Sequence, residues 1–324
     1  MYSQSGLKKI VNKALVNLSL NSESERLIDP VRYILSIGGK RLRPVLALMS
    51  CNLFNDRIDE AVIPVTGLEI FHNFTLVHDD IMDKASLRRG YPTVHNKWDI
   101  NQAILSGDVM AFITNECFLQ SPPALLHKVL KIFNKAAIEV CIGQQLDMDY
   151  EKAAIVSIEV YRRMIELKTA VLIAASARLG AVFGGAVEKD AMNLYEFGRY
   201  LGLAFQIQDD LLDTYGDVKV FGKTSGGDIV AGKKTFLYVK AMEISTTEQK
   251  RKLQEEYNSD TADPDARVRA IIELYNSLEI RNIAENLADN YFKEALGFLE
   301  KVGTPAERKE ELIKMAGWLN SRES

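Results

Sequence analysis

The chain is poor in cysteine, in proline over its middle, and in unbroken apolar sequence, and each shortage narrows what it can be. Its 324 residues contain three cysteines, Cys51, Cys117 and Cys141. An odd number with no CxxC pair argues against a disulfide framework or a thiolate metal site and suits a reducing cytoplasm. The most apolar stretch, residues 169–177, ends at Arg178 and is far short of a bilayer span. The N-terminal segment is punctuated by Lys8, Lys9, Asn12, Lys13 and Asn17, so it lacks the apolar centre of a signal peptide and reads as an amphipathic helix. Excess positive charge is missing as well: 40 Lys and Arg face 44 Asp and Glu, a net charge of −4. That balance gives no reason to expect nucleic acid or an anionic membrane as partner, so any bound anion must be caught by a local basic cluster. The expectation is a soluble, cytoplasmic protein without stable membrane insertion.

What remains is helical. With 47% hydrophobic residues, the chain can bury a sizeable core. No proline occurs between Pro123 and Pro264, and that interval is rich in Ala, Leu, Ile, Glu and Lys, whereas strand signatures are scarce. Asp29-Pro30, Asp263-Pro264 and Thr304-Pro305 each read as a capping side chain before a first-turn proline, with Glu307 completing a capping box. Gly38-Gly39 reads as a helix end. No repeat, low-complexity tract or linker marks a boundary, so residues 1–324 are expected to form a single all-α domain.

Two identical patterns carry the chemistry: Asp79-Asp80-Ile81-Met82-Asp83 and Asp209-Asp210-Leu211-Leu212-Asp213, each preceded by an apolar helical run. Residues four apart share a helix face, so Asp79 converges with Asp83 and Asp209 with Asp213. Like charges stacked this way cost stability unless a cation neutralises them, and all-oxygen donors favour Mg²⁺ or Mn²⁺. A solvated acidic surface is the plain alternative for one such cluster; two in matching apolar settings argue against it. Among the histidines near the first cluster, His72 lies two turns before Asp79 on the same face, but His78 is rotated away, which makes zinc chelation by the two geometrically poor. His78 is expected to be a hydrogen-bonded structural residue, and His127 to lie on the surface. Cations complement the acids. Lys40, Arg41 and Arg43 crowd one glycine loop, residues 38–43. Arg88 and Arg89 precede a Gly90-Tyr91-Pro92 turn, and residues 222–234 form a second loop of glycine and lysine. Flexible backbone beside Lys and Arg is what a diphosphate requires.

Together these residues resemble the trans-prenyl diphosphate synthases, the family of farnesyl and geranylgeranyl diphosphate synthases. The likeness runs through GGKRLRP at 38–44, HNFTLVHDDIMD at 72–83, LRRG at 87–90, LKTA at 167–170, FQIQDDLLD at 205–213 and GKTSGGD at 222–228. It implies the isoprenoid synthase fold, a helical bundle around a deep central cavity, and a short-chain prenyltransferase condensing isopentenyl diphosphate with an allylic diphosphate. It further implies three Mg²⁺ ions, with Mn²⁺ a possible substitute, led by Asp79, Asp83 and Asp209 and supported by Asp80, Asp210 and Asp213. Family roles place Lys40, Arg43, His72 and Arg89 on isopentenyl diphosphate, and Arg88, Lys168, Lys223 and Lys233 on the allylic diphosphate, with Thr169 and Gln206 beside its reacting carbon. A homodimer is implied by the resemblance alone. Phe74 and Thr75, just upstream of the first motif, take the place of the pocket floor, and a bulky residue there resembles enzymes making farnesyl or geranylgeranyl products. Terpene cyclases share one DDxxD motif but typically carry a different second motif, and an inactive regulatory subunit would have lost one of the two. A di-iron carboxylate bundle would want two Glu-x-x-His motifs, and the sequence holds only one, Glu69 to His72.

Overall fold

A computed structural model describes residues 1–20, 23–153, 155–216, 226–257 and 263–320. The helices are α1 (Gln4–Val16), α2 (Glu25–Ser36), α3 (Leu42–Asn52), α4 (Asp59–Met82), α5 (Val94–Lys97), α6 (Ile100–Leu119), α7 (Pro123–Lys152) and α8 (Ile158–Ile165). They continue as α9 (Val171–Phe183), α10 (Glu188–Tyr215), α11 (Gly227–Val230), α12 (Phe236–Ile244), α13 (Thr247–Tyr257), α14 (Pro264–Ser277), α15 (Ile280–Glu300) and α16 (Ala306–Asn320). A π-helical turn, Glu166–Ala170, joins α8 to α9. Among the described residues the extended structure consists of β1 (Leu87–Arg88) and β2 (Tyr91–Pro92), paired antiparallel with Arg88 opposite Tyr91. The expected all-α class is what is found.

The chain divides into two compact units, residues 1–134, 175–195 and 302–312 in one and residues 135–174, 196–301 and 313–324 in the other. In the first, α4 packs against α3 and α6, and its buried face includes Val65, Leu68, Ile70 and Phe71. Tilted and edge-on ring contacts link Phe71 to Phe133 and Phe133 to Phe118. Burying four or five such side chains stabilises this layer by roughly 1.5–3 kcal/mol each. In the second unit Tyr161, Ile165, Leu203, Ile207, Leu211, Phe236 and Tyr275 share a buried cluster. Gly198 and Gly202, one turn apart on α10, permit the close approach here: a Cβ at 202 would lie 2.6 Å from Ala170 Cα, and one at 198 would lie 2.8 Å from Ala174 Cα. This contact brings the carboxyl-terminal half of α10 onto the π-helical turn.

Local expectations fared unevenly. Ser3 caps α1, whose Leu7, Val11, Ala14 and Leu15 are buried, and Asp263 caps α14 by accepting from the Ala266 N–H at 2.9 Å. Chain reversal at Gly38 (φ 88°) follows α2 as expected. Asp29-Pro30, however, lies inside α2, which begins at Glu25 after Ser24; its start is read too late because Pro30 is tolerated beyond the first turn. The capping box at Thr304 does not form. The helix begins at Ala306, and the Thr304 hydroxyl is buried without a hydrogen-bond partner. The reversal near Gly90 is centred on Arg89 (φ 54°) and Gly90 (φ 80°), not on Gly90-Tyr91-Pro92. Two successive positive φ values are those of a two-residue hairpin turn, which closes the ladder.

Candidate active site

The basic cluster of the first unit is built on a buried ion pair. Arg41, in the left-handed region at φ 54°, donates to Glu69 Oε1 at 2.8 Å, to Asn12 Oδ1 at 3.1 Å and to the Leu35 carbonyl at 2.7 Å. Both charged side chains are almost wholly buried, and removing one partner of such a pair costs about 3–5 kcal/mol. Arg41 is therefore spent on holding the loop, which leaves Lys40 and Arg43 as its ligand-binding candidates. The hairpin adds Arg89, whose guanidinium lies against Gly39 and donates to the Gly38 carbonyl, and Arg88, which pairs with Asp80. His72 sits in the field of this group: burial, then the charges of Arg43, Arg89, Arg88 and Arg41, hold it well below the usual histidine range. A neutral imidazole among arginines is what a bound anion would relieve. Burial lowers Arg43 to about 10, so it stays protonated at neutral pH.

Each aspartate motif divides its own labour. On α4, Asp80 is buried against Arg88, whose Nε donates to Oδ1 at 2.9 Å, while Asp79 is half-buried and Asp83, at the helix end, is exposed. On α10, Asp210 is buried while Asp209 is exposed and Asp213 half-buried. Asp210 Oδ2 accepts from the Tyr161 hydroxyl at 2.5 Å and the Phe236 N–H at 3.0 Å, and Oδ1 accepts from Gln206 Nε2 at 3.1 Å. Burial raises Asp210 to about 6 in spite of these donors. In both motifs the middle carboxylate is the buried one, held by hydrogen bonds, and the first and last are less buried.

The two pairs offer oxygen donors, the chemistry of a hard divalent cation, and Asp80 Oδ2 is buried without a hydrogen-bond partner beside the first pair. These residues fit Mg²⁺ or a similar ion. On the second motif, Asp213 is held from below, because its Oδ2 accepts from the Asp228 N–H at 2.7 Å and its carbonyl from the Gly226 N–H at 2.6 Å. Burial and the neighbouring Asp213 and Asp210 push Asp228 up to about 7. A cation arriving among these carboxylates would relieve that crowding.

The π-helical turn presents Lys168 and Thr169. Lys168 Nζ pairs with Asp147 Oδ2 on α7 at 2.5 Å, and the Thr169 hydroxyl donates to Gln206 Oε1 at 2.8 Å. A relay of hydrogen bonds thus runs Thr169–Gln206–Asp210–Tyr161, and the extra residue of a π turn is a recurrent device for aiming side chains at sites. The turn is seated on α7 at Gly143, where a Cβ would lie 2.2 Å from the Lys168 backbone nitrogen. Gly143→Ala is expected to cost about 3 kcal/mol by forcing the helices apart. A melting temperature equal to that of the wild type would refute this contact.

A sequence model described as Polyprenyl synthetase matches residues 24–275. The chain belongs to that family. It is 35% identical over 97% of its length to the geranylgeranyl diphosphate synthase of Methanosarcina mazei, of which it covers 95%. A crystal structure of a geranylgeranyl pyrophosphate synthase, 37% identical, superposes with a TM-score of 0.95 over 100% of both chains. Another, the polyprenyl synthase of Caulobacter crescentus complexed with calcium and isoprenyl diphosphate, is 27% identical with a TM-score of 0.87, covering 99% of this chain and 94% of that one. As a polyprenyl synthetase the chain is an enzyme of the trans-prenyl diphosphate synthase type with the isoprenoid synthase fold.

Within this polyprenyl synthetase, the first unit brings together Arg43, His72, Arg88, Arg89 and the Asp79–Asp83 motif, and contains Lys40 in the loop just before Arg43. The second brings together Lys168, Thr169, Gln206, the Asp209–Asp213 motif and Lys233, whose N–H donates to the Asp228 carbonyl at 2.9 Å. Lys223 lies outside the described residues. His78 is structural as expected, its Nε2 3.2 Å from the Ile104 carbonyl, and His127 is exposed. Phe74 is half-buried with its ring 5.4 Å from Phe71 and 4.8 Å from the His78 ring, and the Thr75 hydroxyl donates to the His72 carbonyl at 2.8 Å. Sequence reasoning missed Asp147 and Tyr161. Tyr161 is one aromatic on an amphipathic helix and gives no signal, whereas Asp147, an acid within the run GQQLDMD, offered a faint one. No helix among the described residues is long and apolar enough to cross a membrane.

Proposed function

We propose that this enzyme condenses isopentenyl diphosphate with an allylic diphosphate, head to tail, and that its product is a short all-trans prenyl diphosphate, geranylgeranyl diphosphate before farnesyl diphosphate. The observation that carries the reading is the shared build of the two aspartate motifs, a buried middle carboxylate fixing an outer pair, in a chain that also holds the Arg43–His72–Arg89 anion cluster. Asp79 and Asp83 on one helix, and Asp209 with Asp213 on the other, hold Mg²⁺, three ions in all by family resemblance, with Mn²⁺ able to replace it. The bound ions would neutralise charge on the departing diphosphate.

The chain's own residues do the rest. Arg88, Lys168 and Lys233, with Lys223, bind the allylic diphosphate, so its carbon–oxygen bond breaks with the electron pair leaving on oxygen. Thr169 and Gln206, pinned to each other and to Asp210, direct oriented dipoles at the allylic cation instead of mobile water. Lys40, Arg43, neutral His72 and Arg89 hold isopentenyl diphosphate while its double bond forms the new carbon–carbon bond, and a proton is then lost, the released diphosphate being the nearest strong acceptor. Incubation with dimethylallyl and isopentenyl diphosphates should yield a twenty-carbon prenyl diphosphate and free diphosphate; absence of any elongated product would refute the reading.

The two diphosphate sites separate kinetically. Lys40→Ala is expected to raise the KM for isopentenyl diphosphate about tenfold or more while moving that for the allylic substrate far less. Equal shifts would overturn the assignment.

We also place the enzyme in the cytoplasm as a homodimer. In support, α6 carries Leu105, Phe112 and Leu119 at intervals of seven on one face, 56%, 71% and 50% exposed. An apolar stripe of that kind is costly in water and suits a second copy of the same helix. Phe112→Asp should convert a dimer to a monomer in sedimentation at micromolar concentration, and a wild type that sediments as a monomer would sink the proposal.

A further inference from the structure

Lys234 stands next to a lysine assigned to diphosphate, in a loop whose glycines and cations read from sequence as one phosphate-binding segment. The structure separates the two neighbours. Lys234 sends its ammonium to the end of α7, where it donates to the carbonyls of Tyr150 and Glu151, each at 3.0 Å, and of Ala153. Three N–H donors meet three carbonyls, so the side chain has no donor left for a ligand. The last carbonyls of a helix lack intrahelical partners and carry partial negative charge, which makes an ammonium there both a cap and a dipole partner.

The same short segment is tied down at both of its ends. Asp213 receives the N–H groups of Gly226 and Asp228, and Asp210 receives that of Phe236. Between these two ties lies Lys233, whose N–H closes back on the Asp228 carbonyl. The three bonds from Lys234 tie residues 229–235 to the helix bearing Asp147. That helix matters because Asp147 holds the Lys168 ammonium and Gly143 seats the Lys168 backbone.

We propose that Lys234 is a positioning residue: by capping α7 it locks the segment that carries Lys233 to the helix that orients Lys168, so the two allylic-diphosphate lysines keep a fixed spacing. The kinetic part of this inference rests on the prenyltransferase reading; the structural part does not.

The test uses the full chain with Lys234→Met, which keeps length and loses the donors, and Lys234→Arg, which restores a charged donor. Hydrogen exchange at residues 227–236 and in the last turn of α7 should quicken at least about tenfold in the Met variant, while α4 is unchanged. The KM for the allylic diphosphate should rise about tenfold, that for isopentenyl diphosphate should move less than about twofold, and Arg should return both readouts to within about threefold of wild type. Unchanged exchange refutes the clamp. Faster exchange with both KM values unchanged, or both raised alike, refutes positioning and leaves a purely structural cap. A wild type without turnover would refute the prenyltransferase reading, and exchange would still decide the clamp. If the Met variant melts below assay temperature, Lys234→Gln, with two donors, carries the same comparison.

Discussion

Excess EDTA is expected to abolish turnover, and Asp79→Ala or Asp209→Ala to lower kcat by at least about a thousandfold with thermal unfolding nearly unchanged. The size of the effect follows from what the outer carboxylates face. Asp209 is exposed and Asp79 half-buried, so truncating either empties little packed volume. On the proposed reading, what is lost is ligation of the ions that would offset charge on the leaving group, and a preorganised charge at that point is worth several kcal/mol in the barrier. Asp210→Ala should behave differently. It strands the Tyr161 hydroxyl, the Phe236 N–H and the Gln206 amide together, so it should lower both activity and melting temperature, each buried unsatisfied group costing about 1–3 kcal/mol. Activity titrations against Mg²⁺, run beside melting curves, separate the two classes. Retained turnover in EDTA, or an Asp79→Ala variant as active as wild type, would end the metal proposal.

Phe74→Ala is expected to lengthen the product by at least one five-carbon unit. Along a helix rising about 1.5 Å per residue, Phe74 lies roughly 7–8 Å below Asp79, and side chains lean toward the helix start, so on the proposed reading its ring would stand in the path of an elongating tail. The ring is braced on two sides, by Phe71 and by His78, which itself reaches the Ile104 carbonyl. A braced ring stops a tail that a mobile one would let past. Because Phe74 is half-buried, its loss should cost less than the roughly 3–5 kcal/mol of a fully buried phenylalanine. Chromatography of the dephosphorylated prenols decides: an unshifted chain length together with a large loss of stability would make Phe74 core packing alone.

Much of this site was legible in one dimension because its chemistry is local. Asp79 and Asp83, or Asp209 and Asp213, share a face by helical periodicity alone, and glycine followed by lysine and arginine is the local pattern on which the phosphate loops are proposed. The helical class was legible for the same reason, since a scarcity of proline and of strand signatures acts residue by residue. Family membership is written in the order and spacing of six short motifs.

Tertiary structure decided which members of those motifs act outward and which hold the frame. Asp79 and Asp80 are adjacent and identical, yet Asp79 is half-buried and Asp80 is buried on Arg88; Arg41, beside Arg43, is spent on Glu69, and Lys234, beside Lys233, on the carbonyls at the end of α7. Sequence cannot rank such neighbours, because the ranking depends on what lies across from each: Glu69, 28 residues from Arg41, or the Tyr150 carbonyl, 84 residues from Lys234. The π-helical turn that aims Lys168 and Thr169 is equally silent in sequence, since its cost is met by contacts from Gly143 and Gly202 on two other helices. Residue type and local spacing are properties of the chain, but a side chain's partner, and hence its burial, charge state and role, is a property of distant segments brought together by folding.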